Sequence, residues 1–164
     1  MTDWTGIEIE CARQGLEQAS ATVLGRMIFE FSRLDMSLGL ALVWSDSGSQ
    51  LERLSQLVAD YSFHKKLDFA QQLVEGKYEA KQEPQSIYGK WIEDAHAVRA
   101  IRNELVHGRW GVDPIKNQVI NVVGLPTSPD QTQHAYTIAE LKATLDQMAQ
   151  LQVRLAELRE RWPL

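Results

Sequence analysis

Inward-facing positions recur every three or four residues across residues 16–44, at Leu16, Ser20, Val23, Met27, Phe31, Leu34, Leu38 and Ala41. That period is one face of an α-helix and predicts a first long helix. The polar run Ser45-Asp46-Ser47-Gly48-Ser49, rich in turn formers, ends it. A second helix is predicted over residues 50–76, with Leu51, Leu54, Val58, Tyr61, Leu67 and Leu73 turned inward and Lys65 and Lys66 on a solvated face. A charged loop containing Pro84 leads to a third helix over residues 85–107, which Gly108 is expected to close as a left-handed C-cap.

The period changes over residues 110–123, where Trp110-Gly111-Val112 and Gln118-Val119-Ile120-Asn121-Val122-Val123 flank a turn and read as a β-hairpin. Pro126 and Pro129 mark an irregular stretch, and His134-Ala135-Tyr136 reads as a short extended piece. Thr137-Ile138-Ala139-Glu140 has capping-box form and opens a last helix with Leu141, Leu145, Met148, Leu155, Leu158 and Trp162 inward. The pattern predicts a single all-α domain over residues 1–164, an antiparallel four-helix bundle with a small β-hairpin inserted before the last helix.

Composition narrows the class. With 44% hydrophobic and 24% charged residues the chain reads as globular. Met1-Thr2-Asp3-Trp4 has neither the basic nor the apolar region of a signal peptide, and the longest apolar run, residues 38–44, is too short to span a bilayer. Cys11, the one cysteine, excludes an intrachain disulfide and a thiolate metal cluster, and a reducing cytoplasm is the expected compartment. A net charge of −5 argues against extensive duplex DNA binding, which depends on phosphate neutralisation by a basic face. A small cluster holding one or two phosphates remains compatible with it.

The chemistry concentrates in Val98-Arg99-Ala100-Ile101-Arg102-Asn103-Glu104-Leu105-Val106-His107-Gly108-Arg109-Trp110. At about 100° per residue, Ile87, Trp91, Ala95, Val98, Leu105 and Val106 share one face with Arg102 in its middle. A guanidinium there must meet an anion or hydrogen-bond acceptors. Two partners are open: a fixed carboxylate, for which Glu30 at the edge of the first helix's apolar face is the candidate, or an anion arriving in a cleft. His96, Asn103 and His107 form a polar stripe beside that face, and His107 lies in the final turn, where the helix C-terminus favours a cation. An imidazole near a permanent cation suits phosphate-ester chemistry: the imidazole moves protons, and the guanidinium stabilises charge on non-bridging oxygens. Asn103 could orient either the imidazole or the substrate.

Arg102-Asn103-Glu104-Leu105-Val106-His107 resembles the Arg-polar-xxx-His signature of HEPN domains, helical proteins found among prokaryotic toxin and defence ribonucleases. The bundle order, the motif's place at the end of the third long helix, the following Gly108 and Trp110, and Phe29-Glu30-Phe31-Ser32-Arg33-Leu34-Asp35 in the first helix extend the resemblance. It implies metal-independent RNA cleavage by attack of a ribose 2′-hydroxyl on its own phosphodiester. Arg102 and His107 would be the catalytic pair and Asn103 their polar neighbour. From their positions, Glu30, which could hold the guanidinium in its working orientation, and Arg109 and Trp110, which directly follow the motif, are the expected supporting residues. The implied partners are RNA, a second copy of the chain and an antitoxin or regulatory protein, with no membrane and no cofactor. Glu93-Asp94-Ala95-His96 is half of a di-iron signature, but no other histidine has a glutamate three residues earlier, so no metal site is expected. The competing reading is a catalytically silent helical module that binds a protein partner or nucleotide; a third makes Arg102 only an internal strut.

Overall fold

The computed structural model describes residues 4–164; residues 1–3 of the leader reading lie outside the described residues. The order is α1 (Gly6–Val43), a 3-10 turn (Ser45–Gly48), α2 (Leu51–Ala59), α3 (Phe63–Lys77), α4 (Glu83–His107), β1 (Arg109–Asp113), β2 (Gln118–Val123), β3 (Thr132–Tyr136) and α5 (Ile138–Arg161). The fold is mainly helical with a small antiparallel sheet. Among the described residues five α-helices stand where the pattern predicts four, and the extended piece at His134–Tyr136 is part of a third strand that joins the hairpin in the order β1-β2-β3.

The differences have local causes. The α1 helix starts ten residues before the predicted Leu16, because Thr5 and Glu8 form a capping box: Thr5 N–H donates to Glu8 Oε2 (2.8 Å) and Glu8 N–H to Thr5 Oγ1 (3.3 Å). The predicted second helix is two. Ser62, extended, accepts the Lys65 N–H (3.3 Å) as the N-cap of α3 and so restarts the helix in a new phase. Leu54, Val58 and Leu67 are buried as expected, and beyond the new cap Phe63, Ala70 and Val74 are buried as well, whereas Leu51 is exposed and Tyr61 and Leu73 are half-buried. Lys66 is buried too, against the expectation of a solvated face, and its Nζ meets Asp35 of α1 at 2.8 Å. Pro84 sits in the first turn of α4, where its missing N–H costs no helical bond.

The chain divides into two compact units, one of Met1–Phe29 with Ile101–Asp146, the other of Glu30–Ala100 with Gln147–Leu164. In the second, Trp91 is fully buried and its Nε1 donates to the Leu151 carbonyl (2.9 Å), while Tyr88 donates to the Trp162 carbonyl (2.8 Å). Both rings bury apolar area without stranding their polar atoms. In the first, Leu16, Val23, Met27, Leu105, Val119, Leu141 and Leu145 are buried. Its sheet pairs Trp110 with Asn121 and Asn121 with His134, and the hairpin turn is tied by Asp113 Oδ1, which accepts the Ile115 and Lys116 N–H groups (3.1 and 3.0 Å).

One ion-pair cluster gives a pH prediction. Asp94 accepts from Arg154 (2.7 Å) and meets Lys90 (2.9 Å), and the Arg154 bond, followed by that from Lys90, holds its carboxyl below the usual range. A depressed carboxyl contributes stability above its unfolded pKa, about 3.9, and loses it as pH falls through the folded value. Asp94→Asn is therefore expected to flatten the loss of stability below about pH 4 while costing about 1 kcal/mol or less near neutrality, since the pair is solvent-screened. Urea unfolding at stepped pH measures both.

Candidate functional site around the end of the fourth helix

The last turns of α4 carry the predicted motif, and the strand that follows fixes how they end. Gly108 N–H donates to the Glu104 carbonyl (2.9 Å) as the helix closes, and β1 begins at the next residue. Trp110 then folds back so that its Nε1 donates to the Leu105 carbonyl (2.8 Å), satisfying an acceptor left over at the helix end. Arg109 reaches the other way, from its Nη2 to the Gly124 carbonyl (3.1 Å), and ties the start of β1 to the chain just past β2. Arg109 and Trp110 thus hold the exit of the helix.

Gly108 does not have the expected role. Its φ is not positive, so it is no left-handed cap; positive φ among glycines occurs at Gly48 and Gly124. It is small because of Asn121, whose carboxamide fills the space beside it. A Cβ at Gly108 would lie 2.2 Å from Asn121 Nδ2 and Oδ1. Asn121 is fully buried, and neither amide atom has a hydrogen-bond partner.

On this frame Arg102 is half-buried, at the expected inward position between Val98 and Leu105, although Val106, placed on the same face by the pattern, is exposed. Its Nη1 donates to Asn103 Oδ1 (3.2 Å), so the motif's cation and adjacent amide meet directly. His107 projects exposed from the last turn. Tyr136 on β3 is a neighbour the sequence pattern did not single out. Its ring lies 6.5 Å from Trp110, and burial, then the charges of Glu104 and Glu140, raises its hydroxyl above the ordinary range, so it stays protonated. Its legible signal was a tyrosine at the end of an extended piece, too common to be informative.

Glu30, expected as a supporting residue, belongs to the second unit, as does His96. Glu30 is paired with Arg33 one turn along α1 and accepts from Gln152 Nε2 (2.8 Å), which supplies the partners its half-buried carboxylate requires. His96, grouped by helical phase with Asn103 and His107, faces His64 with ring centroids 5.2 Å apart. Burial first, then the charges of His64 and Arg99, lowers the His96 pKa against an opposing pull from Asp68. His64, Asp68 and His96 are the one group of three metal-ligating side chains found close together among the described residues. Glu93, the other half of the di-iron pattern, instead pairs with Lys90 (3.3 Å).

The first unit also holds an open groove of about 550 Å³ lined by residues of α1 and α5, among them Thr22, Arg26, Lys142 and Asp146. Its mixture of cations and a carboxylate selects no single ligand charge. No helix is long and apolar enough to cross a membrane among the described residues. Comparison with protein-family models, with curated proteins and with solved structures finds no match to this chain.

Proposed function

We propose that the chain is a metal-independent endoribonuclease of HEPN type, a four-helix HEPN-like bundle acting as a cytoplasmic toxin or defence effector in a homodimer. The observation that carries this reading is the pairing of a half-buried Arg102 guanidinium with Asn103, one helical turn before an exposed His107. A guanidinium held by an amide keeps a fixed orientation, and its planar donors suit the non-bridging oxygens of a phosphodiester. The imidazole at the helix end reaches solvent, where it exchanges protons with a ribose 2′-hydroxyl or a leaving 5′-oxygen. In-line attack needs one group to take a proton and another to give one. A two-fold axis would supply the second imidazole from the other copy.

The chemistry requires no metal, so single-stranded RNA should be cleaved at an unchanged rate in excess EDTA, leaving 2′,3′-cyclic phosphate ends. Intact RNA after long incubation with the purified dimer, or ends bearing a 5′-phosphate, would sink the proposal. The second reading, a silent module for a protein partner or nucleotide, is favoured by Met36, Leu40 and Trp44. These large apolar side chains, two in the last turns of α1 and Trp44 just after its end, are exposed four residues apart, a spacing suited to a partner helix.

A further inference from the structure

We propose that His64, Asp68 and His96 form a binding site for a divalent transition metal of the zinc class, joining α3 to α4 within the second unit. This inference does not rest on the nuclease reading and assigns the metal no part in RNA cleavage.

Three features carry it. The donor set is right: two imidazoles and one carboxylate are ordinary zinc ligands. The spacing is right as well. His64 and Asp68 are four residues apart on α3, which places them on one helical face, and His64 Nε2 already lies 3.6 Å from Asp68 Oδ2. Donors around a tetrahedral zinc, with bonds of about 2.0–2.2 Å, sit roughly 3.3 Å apart. One ligand atom from each of the three residues lies within 4.8 Å of the other two, so closing the set takes a shift of about 1.5 Å at most. The third feature is freedom to close. The His64 and Asp68 side chains are 54% and 51% exposed, and both can rotate toward His96, which is half-buried and anchors the set.

Three protein ligands leave a coordination position to water, so the site is open, unlike a sealed structural zinc centre. Arg99, one turn beyond His96, and the N-terminal end of α3 beside His64 both oppose a cation. Affinity should therefore be lower than that of a closed four-ligand site. The metal would cross-link two helices that the chain otherwise joins through residues 78–82, and a ligand bound only by the folded state raises the unfolding temperature.

The test uses the full chain, stripped of metal and titrated with Co²⁺ and then Zn²⁺. The expected result is one Co²⁺ per chain with visible d–d absorption, displacement by Zn²⁺, and a metal-dependent rise in Tm. His64→Ala and Asp68→Ala should each weaken binding by about tenfold or more, and His134→Ala should not. Both exposed positions can be truncated without opening the core, and circular dichroism checks the fold. If His96→Ala unfolds, the His64→Ala/Asp68→Ala pair carries the test alone. Absence of a cobalt spectrum and of a Tm shift overturns the proposal, as does binding that survives in the double variant. RNA cleavage is not read in this experiment, so its outcome stands apart from that of the nuclease proposal.

Discussion

His107→Ala is expected to reduce RNA cleavage by about 10²–10⁴-fold, the usual worth of a positioned general acid or base, while leaving the fold intact. The side chain is exposed in the final helical turn. Exposed substitutions of this kind change stability by about 0.5 kcal/mol or less, so a loss of activity would report chemistry and not unfolding. Arg102→Ala is a poorer probe. Its half-buried guanidinium bonds Asn103, and truncation would disturb packing and polar satisfaction together. Two measurements check the His107 prediction: single-turnover cleavage of a labelled single-stranded RNA, and growth arrest on induced expression. If the variant cleaves as fast as the parent chain, the imidazole is not part of the reaction. Arrest that persists in cells expressing the variant would point to the partner-binding reading.

How far the site could be read from the chain alone follows from what kind of information each residue carries. All eight positions assigned inward on α1, from Leu16 to Ala41, are buried, because a long regular helix keeps its phase and needs only periodicity. The hairpin and the Thr137–Glu140 capping box are equally local; Thr137 N–H donates to Glu140 Oε2 at 2.7 Å. The same box at Thr5–Glu8 is equally local but sits ahead of Leu16, where the inward-facing series begins, so periodicity alone does not reach it. Phase errors enter at breaks. Ser62 restarts the helix after Asp60 and Tyr61; beyond it Leu67 is buried as expected, but Leu73 is only half-buried and Phe63, Ala70 and Val74 are buried without having been assigned inward.

Arg102, Asn103 and His107 lie within two turns of one helix, so helical geometry places them correctly without knowledge of the fold. Asn121, Tyr136 and the His64–Asp68–His96 group could not be found that way. Their significance arises only when separate elements bring them against Gly108, Trp110 and one another. Helical phase puts His96 in one stripe with His107, but a shared stripe does not determine what each residue along it faces, and His96 faces His64.

Gly108→Ala is expected to destabilise the protein by about 1–3 kcal/mol, the cost of overpacking a filled interior, and to impair the motif as well. The cost is steric and not conformational. Gly108 has no positive φ, so alanine fits the backbone, but its methyl would fall 2.2 Å from both amide atoms of Asn121. A long flexible neighbour could swing aside at little cost. Asn121 is short and fully buried, and the strand holds it between Trp110 and His134, so the helix exit must move instead. His107 precedes the displaced residue and Trp110 follows it, which couples the clash to the proposed chemistry.

The double variant Gly108→Ala/Asn121→Ala makes the argument quantitative. Removing the carboxamide vacates the volume the new methyl needs. It also deletes two buried polar atoms that have no partners, so no hydrogen bond is lost with them. The double variant should therefore be more stable than the sum of the two single effects predicts, with a coupling of about 0.5–3 kcal/mol. Chemical unfolding of the four proteins in the cycle measures it, and RNA cleavage by the same four reports whether the helix exit has returned to place. Strict additivity would mean that Gly108 is constrained by something other than Asn121, and the steric account of the motif's end would have to be abandoned.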